Sequence, residues 1–279
     1  MLDRTTWFRV GSTRFSWEIF KGRKCMDDSF RGPLGADFET DGYVAGIRVA
    51  DAAAVLRIRG QFDEVERHEG REQCQRGLFD PHFTLPFVWE LASSAAVLDA
   101  VEAVLGPNIL LMGSHFFCKY GPTEAFVAWH QDVTYWGLEP PVAVTAWYAV
   151  DDSESANGCL QVIPGTHLGG VRAHGKSPDA GANLLSINQA VPVTAEELQR
   201  VANVELEAGE ISLHSGLSVH GSQPNQSNRR RCGLAMVYIA TSVRQSAENS
   251  LGTPWKAVLV RGENFERHFS HIPPPFPVA

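Results

Sequence analysis

The 279-residue sequence is short of cysteine pairs, long apolar runs and basic charge. Its five cysteines are odd in number, widely spaced and free of any C-x-x-C pair, which excludes a disulfide framework and a zinc ribbon. The first twenty residues carry Arg4, Arg9 and Arg14 and contain no apolar signal segment, and no stretch reaches membrane-spanning length. We therefore expect a soluble, cytoplasmic protein with no membrane contact.

The charge balance points away from nucleic acids. Aspartate and glutamate number 32 against 24 lysines and arginines, which gives a formal net charge of -8. The one dense basic run is Arg229, Arg230, Arg231, so the electropositive surface that nucleic acids require is missing. A small-molecule partner fits this composition better, and we expect a monomer or homodimer.

Length and apolar content favour one domain. With 44% apolar residues, 279 positions are enough for one substantial core. Residues 1–36 lack a steady period and are predicted to be an irregular arm. Residues 37–106 are predicted to be mostly helical support, and residues 107–245 to form a β-rich core.

Two helical regions precede several short strands. Asp51 is a good N-cap for a helix over 52–69, and residues 87–105 repeat apolar positions at helical spacing. Thr194 to Glu197 has the capping-box pattern of a short helix. Runs rich in β-branched and aromatic residues then predict strands over 108–120, 142–150, 159–163, 201–206, 211–214 and 232–240. This order predicts a mainly β fold, an antiparallel two-sheet jelly roll with supporting α-helices.

Three residues have the chemistry of a metal centre. His130 and Asp132 stand two apart, and His220 follows ninety positions later. Two imidazoles and one carboxylate that leave coordination positions open suit non-haem Fe(II), which must bind O2 beside a substrate. The bland alternative for His130 is a hydrogen-bonded histidine at a strand end.

A fixed cation lies eleven residues past the last of these candidates. The guanidinium of Arg231 is suited to binding a carboxylate cosubstrate such as 2-oxoglutarate through two hydrogen bonds. A zinc hydrolase would use similar metal ligands but would leave Arg231 without a role.

Four motifs in order resemble the phytanoyl-CoA dioxygenase family. They are Trp129 to Asp132, Asn157 to Leu160 running into Pro164 to His167, His220 to Ser222, and Arg231. The likeness spans about residues 38–238. It implies a double-stranded β-helix (a jelly-roll, cupin-like barrel), Fe(II) bound by His130, Asp132 and His220, and 2-oxoglutarate and O2 as cosubstrates.

The resemblance also implies residues that hold the cosubstrate. Arg231 matches the partner of the distal carboxylate, and Ser222 matches its hydrogen-bonding companion. Lys119 and Trp147 match further cosubstrate contacts, and charged donors would offset the desolvation of a buried dianion. The alternatives are a solvated strand end for Lys119 and a core aromatic for Trp147.

Candidate substrate contacts come from the mouth of the barrel. Thr134, Tyr135 and Trp136 follow the carboxylate ligand, while Phe117 and His115 share a strand face with Lys119. His82 is a further candidate from the helical half. Core packing is the alternative for the aromatic residues, and a capping or surface role is the alternative for His82.

These expectations predict oxidation of an unactivated C–H bond in a small molecule. Hydroxylation, ring closure and desaturation remain open. The run from Thr134 to Gly137 resembles family relatives that hydroxylate small aminoalkylphosphonates and others that tailor bacterial natural products, including sugar-derived antibiotics. We expect natural-product tailoring, because the aromatic mouth suits a polar, ring-containing molecule and sugars stack on aromatic faces. The alternatives are a hydroxylase of a small aminoalkylphosphonate and a non-catalytic jelly-roll binder of a metal or small molecule.

Overall fold

A computed structural model describes residues 33–246, 255–270 and 272–277, apart from the side chain of Tyr135. The predicted arm therefore lies outside the described residues up to position 32. From Pro33 the chain is helical, three residues before the end predicted for that arm. Proline suits the first turn of a helix, because its ring fixes a helical φ and its missing N–H costs nothing there.

Helices dominate the first third of the described chain. Their bounds are α1 (Pro33–Asp41), α2 (Ala52–Glu69), α3 (Arg71–Arg76), α4 (Pro86–Ala92), α5 (Ala95–Leu105) and, between later strands, α6 (Ala195–Leu198). The strands are β1 (Tyr43–Arg48), β2 (Ile109–Lys119), β3 (Val127–His130), β4 (Leu138–Glu139), β5 (Val144–Ala149), β6 (Leu160–Val162), β7 (Gly175–Lys176), β8 (Gln189–Ala190), β9 (Ala202–Val204), β10 (Glu210–Ser215), β11 (His220–Ser222), β12 (Arg231–Ala240), β13 (Arg244–Gln245) and β14 (Val258–Arg261). No helix among the described residues is both long enough and apolar enough to cross a membrane.

Two antiparallel sheets form the barrel. The major sheet has the strand order β1-β10-β5-β12-β2-β14, and the minor sheet has the order β3-β11-β6-β9. Neighbouring strands in both sheets are antiparallel, and many of them are distant in sequence. The prediction of a mainly β jelly roll with supporting helices is confirmed.

Side-chain alternation divides the major sheet into two faces. Phe116, Tyr148 and Leu234 point toward the helices and join a core that includes Trp89 of α4 and Phe62 of α2. Because successive strand residues point to opposite sides, the residues between them face the minor sheet. The helices therefore cover one face of the major sheet and leave the other face for the cavity.

The helix boundaries follow local capping. The carboxylate of Asp51 accepts a hydrogen bond from the Ala54 N–H at 2.8 Å, and the helix ends at Gly70, whose φ is 84°. The predicted helical region over 87–105 is two helices, because the Ser94 hydroxyl caps a new helix by accepting from the Val97 N–H.

Two outer strands of the major sheet lie outside the predicted core. The strand β1 falls in the segment predicted to be helical support, and β14 follows position 245. The side chains of β1 do not alternate regularly between buried and exposed, and β14 has only four residues. Neither strand therefore carries the periodic signal from which strands are predicted.

Candidate active site

Strand pairing brings His130 and His220 together. His130 ends β3 and is the register partner of His220, which begins β11. Their rings are 4.1 Å apart between centroids, and both side chains are almost fully buried. The Nδ1 of His130 lies 2.9 Å from the Ala128 carbonyl oxygen, and the Nδ1 of His220 lies 3.0 Å from that of Ser218. A carbonyl only accepts, so both Nδ1 atoms carry the proton and both Nε2 atoms present a lone pair.

The carboxylate of Asp132 completes the cluster. Asp132 begins a 3-10 turn directly after β3. Its Oδ1 lies 3.3 Å from the Nε2 of His130 and 3.5 Å from the Nε2 of His220. Within the described part of the chain, these three residues place one ligand atom each within 4.8 Å of one another.

The protonation states suit a divalent cation. Burial would raise the pKa of Asp132, but His220, His130 and His214 outweigh it and hold that pKa well below its ordinary value. Burial, reinforced by His130, holds the pKa of His220 well below its ordinary value. An anionic oxygen and neutral imidazole nitrogens are the donors that Fe(II) takes, so the residues present fit the metal that the fold implies.

Arg231 is buried in the wall of the same cavity. It begins β12, its residue is 2% exposed, and its guanidinium carbon lies 5.5 Å from the centre of the Trp147 ring. One terminal nitrogen donates to the Gly158 carbonyl at 2.7 Å and the other donates to the Phe117 carbonyl at 3.2 Å, but Nε has no partner. A buried cation with an unused donor fits a carboxylate ligand, because an unpaired buried charge is costly.

Lys119 and Ser222 adjoin this guanidinium. Lys119 ends β2 as the register partner of Arg231 and is fully buried. Its Nζ lies 2.6 Å from the Ser222 hydroxyl oxygen and also donates to the Gln223 carbonyl, while Ser222 Oγ is 3.5 Å from Arg231. The structure therefore brings the four predicted cosubstrate residues together, although Lys119 does not itself line the cavity.

The cavity has a volume of about 250 Å³, and His130, Asp132 and His220 line part of it. Phe117, His115 and Trp136 line it, as do Trp147, Ser222 and Arg231. The ring of His115 packs edge-on against Phe117, with centroids 4.5 Å apart. The assignment of these residues to substrate binding stays a prediction.

Two substrate candidates lie away from this wall. The hydroxyl of Thr134 is 3.1 Å from the Nδ1 of His174, and Thr134 does not line the cavity. His82 is fully buried, with Nδ1 2.7 Å from the Ser114 hydroxyl oxygen, and it does not line the cavity either. Both side chains are used in local packing and hydrogen bonding instead. The side chain of Tyr135 lies outside the described residues.

Sequence reasoning missed several residues of the cavity. Thr145 donates to Asp132 Oδ2 at 2.8 Å, and the Nε2 of His214 lies 3.5 Å from the same oxygen. His214 is a residue of β10, as the predicted strand over 211–214 implies, but its ring also packs against the candidate metal ligand His220. Asp80 and Trp255 also line the cavity. The short spacing between His214 and His220 is a weak sequence signal for a site residue. The sequence gives no such signal for Thr145, Asp80 or Trp255.

Comparison with known proteins identifies the family. The family model for phytanoyl-CoA dioxygenase (PhyH) matches residues 38–233. The chain belongs to this family of iron- and 2-oxoglutarate-dependent oxygenases, as the sequence motifs predicted. The cofactor prediction, Fe(II) with 2-oxoglutarate, is confirmed at the level of the family, and the cluster of His130, Asp132 and His220 agrees with it.

Individual relatives are distant. A probable alpha-ketoglutarate-dependent hypophosphite dioxygenase of Stutzerimonas stutzeri is 29% identical over 170 residues, which cover 59% of this chain and 57% of that protein. The chain thus spans little more than half the length of this curated relative. The apo structure of the non-heme monooxygenase ThoJ has 26% identity and a TM-score of 0.70, covering 86% of this chain and 87% of that one. The epimerase SnoN from nogalamycin biosynthesis shares the fold at 21% identity and a TM-score of 0.67, with coverage of 86% and 99%.

Proposed function

We propose that this protein is a dioxygenase that uses Fe(II) and 2-oxoglutarate to oxidise an unactivated C–H bond of a small molecule. The observation that carries the proposal is the convergence of His130, Asp132 and His220 at one end of a cavity that also contains Arg231. A metal site alone would fit many activities. A buried guanidinium with an unused donor beside it gives 2-oxoglutarate a specific place.

The residues have separable tasks in this proposal. His130, Asp132 and His220 would hold Fe(II), which would couple the conversion of 2-oxoglutarate and O2 to succinate and CO2 with oxidation of the substrate. Arg231 and Ser222 orient the cosubstrate by binding its distal carboxylate. The aromatic wall positions the target C–H bond and excludes water from the reaction.

Succinate release tests the activity. The purified protein is incubated with Fe(II), 2-oxoglutarate and O2, and succinate is quantified with and without candidate substrates. We expect slow succinate release without substrate and none from the His130→Ala or Asp132→Ala variants, with Ser212→Ala as a buried control on β10. Absence of both turnover and 2-oxoglutarate binding in the wild-type protein would favour the non-catalytic binder.

The substrate class that we propose is a polar, ring-containing natural product, such as a sugar-derived antibiotic. Phe117, Trp136 and Trp255 give the cavity flat aromatic surfaces on which a sugar or another ring stacks. The ring centroids of Trp136 and Trp255 lie 6.1 Å apart at an angle of 74°, so two differently oriented ring faces border the space.

An aminoalkylphosphonate is the second candidate, and the hypophosphite dioxygenase relative is the observation that favours it. Parallel turnover assays on small phosphonates and on glycosylated or aromatic metabolites separate the two classes. Substrate-dependent succinate release with phosphonates alone would reject the natural-product proposal. The same assays, followed by mass spectrometry, distinguish hydroxylation, which adds one oxygen, from ring closure or desaturation, which removes two hydrogens.

A further inference from the structure

The two oxygens of Asp132 have different surroundings. Oδ1 faces the Nε2 atoms of His130 and His220, whereas Oδ2 faces the major sheet. On that side Thr145 donates a hydrogen bond to Oδ2 at 2.8 Å, and the Nε2 of His214 is 3.5 Å away. Thr145 therefore holds the carboxylate from the side of the major sheet, and His214 lies beside the same oxygen. Sequence motifs mark neither residue.

Strand register produces this pair. Thr145 on β5 and His214 on β10 are direct register partners, and both are buried on the face of the major sheet that borders the cavity. Neither ring nitrogen of His214 makes a hydrogen bond within the described residues. The Nε2 of this buried imidazole has Oδ2 of Asp132 as its neighbouring acceptor, 3.5 Å away.

We infer that Thr145 and His214 are positioning residues that keep Asp132 bound to the metal through Oδ1 alone. Fe(II) held by His130, Asp132 and His220 would need open coordination positions for both 2-oxoglutarate and O2. If Oδ2 also bound the metal, it would fill the position that O2 needs. Occupying Oδ2 with a hydrogen bond prevents this, as outer hydrogen bonds to metal ligands commonly do. The inference rests on the proposed function.

Co(II) binding to the metal-free protein tests it without turnover. Thr145→Val removes the hydroxyl and keeps the shape of the side chain, and Thr145→Ser keeps the hydroxyl. We expect Thr145→Val to bind Co(II) about tenfold or more weakly by calorimetry, because the carboxylate is no longer held in place before the ion binds. We also expect it to alter the visible Co(II) spectrum, because the carboxylate is then free to change its binding mode. Thr145→Ser is expected to resemble the wild type.

Matched variants separate positioning from folding. Ser212→Ala removes another buried hydroxyl of the same sheet, one without a partner, and is expected to change neither readout. His214→Phe keeps a buried ring and is expected to shift the Co(II) spectrum in the same direction as Thr145→Val. If Thr145→Val does not fold, His214→Phe takes its place in the test. Wild-type Co(II) affinity and spectrum in the folded variants would overturn the inference. Failure of the wild-type protein to bind Co(II) would instead count against the proposed function.

A different observation concerns the charge of the cavity. Among the described residues that line the cavity, Asp80 and Asp132 are acidic. Apart from histidines, Arg231 is the basic residue in the same described lining. Asp132 is assigned to the metal and Arg231 to the cosubstrate. Asp80 is then the charged group left in the described wall to face a substrate.

Asp80 is held in place by strand β2. Its N–H donates to the Ser114 carbonyl at 2.8 Å, and its Oδ1 accepts from the Ser114 N–H at 3.1 Å. Next to it, Phe79 stacks on His115 with centroids 4.4 Å apart. Burial raises the pKa of Asp80, and the Ser114 N–H and the nearby Lys256 partly offset this rise. Lys256 does not line the cavity.

We propose that Asp80 selects substrates that carry an ammonium or another hydrogen-bond donor beside an apolar ring, and disfavours anions. The second carboxylate oxygen accepts the donor while the ring packs on the aromatic wall. This proposal also rests on the proposed function, and it places an anionic phosphonate group at a disadvantage near Asp80.

Asp80→Asn is a closely matched test. Asp80 has a left-handed backbone (φ 48°, ψ 41°), which asparagine also tolerates, and an amide oxygen still accepts from the Ser114 N–H. Binding of 2-phenylethylamine and 3-phenylpropionate is measured by anaerobic calorimetry on protein loaded with Fe(II) and saturating 2-oxoglutarate. We expect the wild type to prefer the amine by about tenfold or more and Asp80→Asn to lose that preference.

The order of the measurements separates the two proposals. Failure of 2-oxoglutarate to bind in the first step would count against the proposed function. The role proposed for Asp80 is wrong if 2-oxoglutarate binds normally but the wild type does not prefer the amine. It is also wrong if Asp80→Asn keeps the preference of the wild type.

Discussion

The guanidinium of Arg231 shows at the residue scale how burial prepares a group for its ligand. Two terminal nitrogens are bound to backbone carbonyls, and Nε is left without a partner. The backbone contacts fix the plane of the group before a ligand arrives. An incoming carboxylate then gains charged hydrogen bonds without the entropic cost of ordering an exposed side chain.

We predict that Arg231→Leu mainly weakens 2-oxoglutarate binding. Loss of a buried charged pair is worth about 2–5 kcal/mol, so the KM for 2-oxoglutarate should rise steeply while metal binding persists. Titration of 2-oxoglutarate into the Fe(II) protein measures the effect, and Arg231→Lys, which keeps the charge without the planar fork, is expected to fall between leucine and wild type. An unchanged affinity for 2-oxoglutarate in Arg231→Leu would remove the residue from the cosubstrate site.

Lys119 is expected to make 2-oxoglutarate binding depend on pH. Burial, together with the nearby Arg231, lowers the pKa of Lys119 to about 5, so the side chain is neutral near pH 7 before the cosubstrate binds. A bound dianion favours the charged form and raises that pKa. We predict that 2-oxoglutarate binding at pH 7 takes up a proton, measured by calorimetry in buffers with different ionisation enthalpies. Lys119→Met should abolish the uptake, and equal binding enthalpies in all buffers for the wild type would contradict the prediction.

At the scale of elements, strand β12 provides space as well as ligands. Gly233 lies between Arg231 and Ala235 on the inner face, and a Cβ added there would lie 1.9 Å from the Trp147 ring. The glycine thus allows the indole to lie under the guanidinium of Arg231. Packing of this kind tolerates no added methyl without movement.

We therefore predict that Gly233→Ala displaces Trp147 and weakens 2-oxoglutarate binding by tenfold or more, at a stability cost of about 1–3 kcal/mol. Gly175→Ala is the matched control, because Gly175 is also a strand glycine and its added Cβ would meet no atom within 4 Å. Denaturant unfolding and 2-oxoglutarate titration measure the two effects. A Gly233→Ala protein with wild-type stability and cosubstrate affinity would show that Trp147 is not tightly confined.

At the scale of the whole molecule, buried neutral histidines link stability to pH. Burial lowers the pKa of His82 and of His115 to about 4 in each case. The unfolded chain protonates both near pH 6.5, so between pH 6.5 and pH 4 it binds more protons than the folded protein. Stability is therefore complete above pH 6.5 and is lost as the pH falls toward 4.

We predict that the free energy of unfolding falls between pH 7.5 and pH 5, and that His82→Gln makes this fall smaller. The exposed His68→Gln variant serves as the control and should keep the wild-type slope. Denaturant unfolding at several pH values gives both slopes. Identical pH slopes for His82→Gln and the wild type would exclude His82 as a contributor.

The long barrel strands and the capped helices were predictable because their signals are local. Strands β2, β5 and β12 carry dense β-branched and aromatic runs, and α2 has its own N-cap and C-terminal glycine. In the two barrel sheets, β1, β3, β11 and β14 were not predicted as strands, although β3 and β11 carry His130 and His220. These strands are short or irregular, and pairing with distant strands, rather than their own residues, gives them their structure.

The sequence by itself determined the chemical types at the centre: two imidazoles, one carboxylate and a guanidinium, in an order and spacing that indicated the family. Those groups are covalent facts of the chain, and their chemistry limits what they bind. Only the tertiary structure decided that Thr145 and His214 face Asp132, that Lys119 pairs with Arg231, and that Asp80 is the remaining charge in the described wall. These contacts depend on the register of strands far apart in the chain, which is set by the packing of the whole barrel and not by any local pattern.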